Sequence, residues 1–456
     1  MGKFFRGAAL GFVAAIGLAG GIVPQARAET LTDTLILAYK NSNLLEQNRA
    51  LLRAADENVA QAIASLRPVL AFIANANYAD TPLNTGTTSA SIGLSASLNV
   101  YDGGANRLAV ESAKESVLST RANLVSLEQR VLLAAVQAYM DVRSASQNVS
   151  LQQSSVRLIS EQLRAAQDRF EVGEVTRTDV AQAQSFLAAA RSSLVAAQGA
   201  FQVARESYKA AVGQYPNNLS GVSGLPDLPR TLNDARGIAE RTHPDIEAAQ
   251  RQVTVSLLSM QRARAARGPS IAATARVSRD DSGNNTSNVG LELQQTIYSG
   301  GALKSAERQA LANRDAAQAN LLQSVRIVDQ QVANAWANLS VARAQLSASD
   351  QQIQAAQLAY DGTKEEARLG SRTTLDVLNA EQDLLDARTG RVQAETDRYV
   401  AIYQVLSSMG LLTVDHLKLG IATYDPAAYY NAVKNAPVRS VQGDRLDKVL
   451  KSIGRQ

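Results

Sequence analysis

Cysteine is missing from all 456 residues of this chain. That excludes disulfide staples, thiol nucleophiles, thiolate metal sites and a lipid-bearing N-terminal cysteine. Histidine is nearly as scarce. His243 and His416 sit in unrelated contexts, His243 beside Pro244, and neither stands at triad or metal-ligand spacing. The expectation is a protein that is not an enzyme and needs no cofactor or metal. Aromatic residues make up only 5%, and the 45% apolar content is dominated by Ala beside many Gln, Ser and Asn. Such a mixture suits long helices packed through small side chains better than a thick globular core. The net charge is small, +4, and no basic stripe is interleaved with aromatics, so nucleic acid is not an expected partner. Basic residues gather at Lys434, Arg439, Arg445, Lys448, Lys451 and Arg455, which read as a solvated tail.

After the first 28 residues there is no apolar run long enough for a transmembrane helix. If the mature chain enters a membrane, it does so by strands. The opening "MGKFFRGAALGFVAAIGLAGGIVPQARAET" has a positive n-region at Lys3 and Arg6, a short apolar stretch from Ala8 to Ala19, and an A-x-A site at Ala26-Arg27-Ala28. Residues 1–28 therefore read as a signal peptide, with the mature chain starting at Glu29 outside the cytoplasm.

The rest is written twice. "YDGG" at Tyr101 corresponds to "YSGG" at Tyr298, an offset of 197. The same offset carries Val172-Gly173 to Leu369-Gly370, Asp179-Val180 to Asp376-Val377 and Gly213 to Gly410. The expected division is a first repeat over 29–215, a linker over 216–231, a second repeat over 232–412, and a C-terminal equatorial segment and basic tail over 413–456.

Each repeat opens with a helical segment, about 33 to 65 or 232 to 266. The period then changes to two. In "SASIGLSASLNV", Ala90, Ile92, Leu94, Ala96, Leu98 and Val100 alternate with small polar residues. In the second repeat Val289, Leu291, Leu293 and Ile297 do the same. These predict strands with one greasy and one wet face, paired with weaker strands at Leu70 to Ala79 and Ile271 to Arg279. "DTPLNTGTT" and "DDSGNNTS" read as the loops between them. Gly103-Gly104 and Gly300-Gly301 then let the chain leave the sheet.

A helix of about 65 residues, about 100 Å long, follows in each repeat. The second carries a heptad seam at Leu321, Val325, Val328, Val332, Ala335, Leu339, Ala342 and Leu346. Its first-repeat equivalent has one polar exception, Glu128, and the sustained period implies coiled-coil packing. Shorter helices, about 176 to 213 and 373 to 410, come next. Added to the opening helix of each repeat they match the long helix in length, so the two short helices are expected to stack end to end beside it.

Four candidate strands cannot close an outer-membrane barrel, which needs about eight or more. Three copies would supply twelve strands above a tube of twelve helical columns. The alternative is a soluble periplasmic coiled-coil scaffold or adaptor whose alternating segments pack on its own helices.

"RFEVGEVTRTDVAQAQS", "GLELQQTIYSGGALKSAERQA" and "RLGSRTTLDVLNAEQDLLDAR" resemble segments of the TolC family of outer-membrane efflux and secretion channels, and the resemblance covers almost the whole mature chain. The ending "VDHLKLGIATYDPAAYYNAVKNAP" is similar to members of its type I secretion branch. The resemblance implies an α+β, mainly α membrane protein: a homotrimer with a 12-stranded outer-membrane β-barrel continued by a long periplasmic α-helical barrel. It also implies two partners, a periplasmic adaptor (membrane fusion protein) and an inner-membrane transporter, either ABC or proton-driven. The function implied is the exit duct for secreted protein, small molecules or both.

The two "Gly plus Thr-x-x-Asp" segments then become the periplasmic tips. Gly173 and Gly370 read as helix C-caps, and the resemblance makes Val172, Gly173, Leu369 and Gly370 adaptor-docking tips. Thr176-x-x-Asp179 and Thr373-x-x-Asp376 fit capping boxes. By resemblance Asp376 also contributes to a ring that constricts the entrance, with Asn379 where the family pattern has a second Asp. Arg372, Thr178 and Asp179 match the family's closed-state latch, whose Tyr partner is replaced by Ala367. Tyr101 and Tyr298, at strand ends, are candidates for the membrane-interface aromatics. N-terminal mass spectrometry of the exported protein is expected to read Glu29-Thr30-Leu31; an intact Met1 would mean that the segment is retained as an anchor.

Overall fold

The computed structural model describes residues 28–81, 84–222, 224–436 and 448. The segment 1–27, the loop positions Pro82 and Leu83, and the tail residues Arg439, Arg445, Lys451 and Arg455 lie outside the described residues. Element order repeats as expected. The first copy runs α1 (Leu31–Asn41), α2 (Asn43–Ala64), β1 (Val69–Thr81), β2 (Asn84–Tyr101), α3 (Ala105–Glu171) and α4 (Arg177–Val212). The second runs α5 (Leu232–Thr242), α6 (Pro244–Ala265), β3 (Ser270–Asp280), β4 (Asn285–Gln294), α7 (Ala302–Arg368) and α8 (Thr374–Ser408), and a short α9 (Pro426–Val433) follows. Both long helices have 67 residues. No described helix is long and apolar enough to cross a membrane.

The opening helix of each repeat is broken where one continuous helix was expected. Ser42 leaves helical geometry and its hydroxyl caps Leu45. Pro244 pushes His243 into the extended region, and the imidazole Nδ1 then accepts the Asp245 N–H. Only the 22-residue second halves, α2 and α6, can therefore continue the short helices. α1 lies beside α4 instead, joined by the Thr34–Tyr208 hydroxyl pair at 2.8 Å. At the first break Asn41 donates to the Val212 carbonyl, and at the second Thr242 donates to the Met409 carbonyl. The end of each short helix thus abuts the break of its own repeat. A second difference lies in β4, which stops at Gln294, so Thr296 and Ile297 fall in the connection to α7.

The helices form four columns. α3 packs against α2 and α4 on one side and against α6 and α8 on the other, and α7 packs on α6 and α8. The sheet is antiparallel in the order β1-β2-β3-β4. Strand and column order coincide, because β1 follows α2, β2 leads into α3, β3 follows α6 and β4 leads into α7. The register places Leu70, Ala96, Ala275 and Val289 in one row and Phe72, Leu94 and Val277 in the next, on one face. The other face carries rows such as Ala71, Ser95, Arg276 and Asn288. The greasy face does not pack on the chain's own helices: Leu70 is 80% exposed and Val289 86%.

The main core sits midway along the helices. It holds the heptad positions Val131, Ala135, Ala138 and Val142 of α3 with Val328, Val332, Ala335 and Leu339 of α7. Glu128, the polar exception, accepts the Val414 N–H at 2.7 Å and so tethers the segment after α8. Arg49 is held between Tyr39 and Tyr424, and Tyr429 donates to Glu57, binding the same segment onto α2. Glu29 is buried there too. Its carboxylate accepts from Tyr208 at 2.6 Å and from the Asn217 N–H, while its backbone bridges to Leu219 in the linker.

Gly410 has φ +79, and a Cβ there would lie 2.8 Å from both the Cα of His243 and the carbonyl oxygen of Thr242. Gly410→Ala is expected to cost about 2 to 5 kcal/mol, left-handed strain plus a backbone clash. Gly173 has a similar φ of +82 with nothing within 4 Å. Gly173→Ala should lose only about 1 to 2 kcal/mol. Melting followed by circular dichroism in detergent checks the ranking, and equal losses would refute it.

Candidate functional site at the helical tips

At the end remote from the sheet, α3 turns into α4 and α7 into α8. Each turn is built the same way. The Glu174 N–H returns to the Arg169 carbonyl at 2.9 Å and the Ser371 N–H to the Glu366 carbonyl at 2.9 Å, while Gly173 and Gly370 take φ +82 and +83. This six-to-one closure needs a left-handed residue just past the helix, which glycine adopts without a Cβ penalty. It leaves the preceding apolar side chains outside: Val172 and Leu369 are both 70% exposed.

The next helices start with full capping boxes. The Asp179 Oδ2 accepts from the backbone and hydroxyl of Thr176, both at 2.8 Å. The Asp376 Oδ2 accepts from the Thr373 N–H at 2.9 Å and its hydroxyl at 2.8 Å. The Thr373 bonds, with help from the Arg372 charge, hold the Asp376 carboxyl below the ordinary carboxylate range. The cap is therefore in place above that range and is lost as pH falls through the lowered value. Capping does not consume the charge, so both roles read from the sequence remain open to Asp376. Asn379, one turn on, is exposed.

The two tips lie side by side and enclose a cleft of about 570 Å³ lined by Thr176, Asp179, Gly370 and Arg372. The structure thus brings Asp179 and Arg372 to one place without joining them. Within the single protomer Arg372 pairs with Glu366 at 2.9 Å, and Thr178 is exposed. At the other end, Tyr101 closes β2 and Tyr298 lies just beyond β4, 51% and 87% exposed, both where the sheet meets the helices.

One further acid, outside the two tip motifs, stands near the tips. Glu381 of α8 is 3% exposed, and neither carboxylate oxygen has a hydrogen-bond partner. Its position was readable. Val377, Leu378, Leu384 and Leu385 put it in the middle of an apolar stripe at helical spacing.

An amphipathic four-stranded sheet, a tube wall of four helical columns and apolar knobs on reversed tips define a membrane-embedded duct protomer. The comparisons agree. The outer membrane efflux protein family matches residues 35–214 and 236–411. The chain is 37% identical over 431 residues to the outer membrane efflux protein BepC of Brucella suis biovar 1 (strain 1330), covering 92% of this chain and 94% of that one. It is 25% identical over 429 residues to the outer membrane protein TolC of Escherichia coli (strain K12), covering 88% and 86%. The fold matches the crystal structure of the Campylobacter jejuni CmeC outer membrane channel at TM-score 0.75 and 19% identity, covering 89% of each chain. The chain belongs to the outer membrane efflux protein family and is an outer-membrane protein with a large periplasmic part. A soluble scaffold is not supported, and its premise fails on the exposed greasy face of the sheet.

Thr373→Ala removes the cap of α8 and is expected to cost about 1 kcal/mol. Hydrogen exchange should speed up at the first-turn amides of α8 and leave α3 unchanged.

Proposed function

We propose that the chain is one protomer of a homotrimeric exit duct, passive in itself, that carries exported protein or small molecules across the outer membrane. The observation that carries this is the coincidence of free edges. β1 with α2 and α4 forms one open side and β4 with α7 the other, in both the sheet and the helical layer. A head-to-tail ring joins β4 and α7 of one copy to β1, α2 and α4 of the next. Three copies give twelve strands and leave no edge in lipid, where unpaired backbone groups cost several kcal/mol each. The greasy rows through Leu94 and Val277 then face lipid and the polar rows through Ser95 and Arg276 face the bore, with Tyr101 and Tyr298 at the periplasmic membrane interface.

The tips form the periplasmic entrance. Val172, Gly173, Leu369 and Gly370 are the exposed knobs on which a periplasmic adaptor, working with an inner-membrane transporter, docks. Asp376 and Asn379 line the constriction. Three Asp376 carboxylates about 6 Å apart repel by about 0.7 kcal/mol per pair in water-like dielectric, so such a ring is tolerated and favours cations. Arg372 exchanges Glu366 for Thr178 and Asp179 as the closed-state latch. Exposed links of this kind contribute about 0.2 to 1 kcal/mol each, little enough for docking to break.

In planar bilayers the purified protein is expected to give small cation-selective currents. Asp376→Ala should reduce the selectivity and Arg372→Ser should enlarge the conductance. Folded, detergent-extracted trimers without pore activity would end the duct reading. Leu369→Asp is expected to lower cross-linking to a co-expressed adaptor while leaving the trimer's melting temperature unchanged.

A further inference from the structure

Glu381 sits where α8 is held from two sides. On one side Val377 and Leu384 pack with Tyr360 of α7. On the other, Leu378 packs with Ile159 of α3. The charged groups acting on it are Lys364 from α7 and Glu161 from α3, and it acts in turn on Tyr360 of α7, whose other charged neighbours are Asp361, Glu161 and Arg388. Two of these are already engaged: Arg388 donates to Gln357 at 2.7 Å, and Asp361 accepts from the same glutamine. The Tyr360 hydroxyl, like both oxygens of Glu381, is buried without a partner. Burial pushes the Glu381 carboxyl up to about 7, with Lys364 pulling it down and Glu161 adding to the rise.

We propose that Glu381 is a proton-operated wedge of the entrance: neutral, it lets α8 pack between α3 and α7, and ionised, it drives α8 away from Glu161 of α3 toward Lys364 of α7, loosening the α7–α8 hairpin from α3. This rests on the duct reading above. The position suits the role, because Glu381 lies five residues beyond Asp376 on the same helix, about 7.5 Å along its axis. A shift of α8 at Glu381 therefore moves the constriction. The sign follows from the raised value. The packed state is favoured most below the ordinary carboxylate range, and that preference is lost as pH rises through about 7. Asp376, held low, stays ionised over this interval and contributes no step of its own.

The test is conductance of the full chain in planar bilayers between about pH 5.5 and 8.5, a range that brackets the midpoint. The wild type is expected to pass from a low to a higher conductance through a step centred near pH 7. The isosteric Glu381→Gln should lose the step and stay at the low level throughout. Glu161→Gln should keep the step and move its midpoint to lower pH, because removing a neighbouring negative charge eases ionisation. A step unchanged in Glu381→Gln, or a wild type that conducts equally at every pH, would overturn the wedge and leave the duct standing. A wild type that conducts at no pH would overturn the duct itself.

Discussion

Everything in this chain answers one constraint: a peptide group in hydrocarbon must find its partner within protein. Two hairpins form four strands with two open edges, which no single chain can close. The helical layer repeats the same arithmetic, since each strand continues one column and the open column sides lie under the open strand edges. In the proposed trimer, closing the sheet and closing the tube are one event. The Ala-rich composition follows, because columns must approach closely over about 100 Å, and small side chains at Ala135, Ala138, Ala335 and Ala342 permit it.

The packing is uneven along that length. The midpoint is held by the broad core, by Glu29 under Tyr208, and by the segment after α8 tied through Glu128, Arg49 and Glu57. Toward the tips the buried clusters shrink to a few residues around Leu187 and Leu384. Low local burial is what allows a region to open without unfolding the rest. A firm middle and thin ends suit a tube anchored in one membrane and worked from the far end.

Much of this was legible in the sequence because duplication tests each reading twice. The period-two stretches, the two 67-residue helices, both capping boxes and the tip glycines are local patterns written in neighbouring residues. The break at Ser42 was less visible than that at His243, where Pro244 marks a helix start. Nothing in "YKNSNLL" interrupts the apolar periodicity, and the bend shows its purpose only where α4 arrives at Asn41. β4 ends before Ile297 because Gln295 breaks the apolar phase of Val289, Leu291 and Leu293, and the pairing stops at Gln294. The Arg372–Glu366 pair was hidden because it is set by how the turn folds back, and spacing along the chain does not reveal that. Glu381 stands apart from the tip glycines, and its place on an apolar stripe is the sequence signal that marks it.

The open edges also bear on inheritance. In a head-to-tail ring each copy presents β1 to one neighbour and β4 to the other, so no seam is repaired from within a single chain. In the proposed trimer, a chain with a spoiled edge strand but sound α2, α4 and α7 still enters assemblies and takes two good partners with it. Where good and spoiled chains are made together, the share of intact ducts falls with the cube of the good fraction. Lesions in β1 or β4 should therefore act dominantly in a mixed population, whereas lesions that keep the chain from leaving the cytoplasm should be recessive.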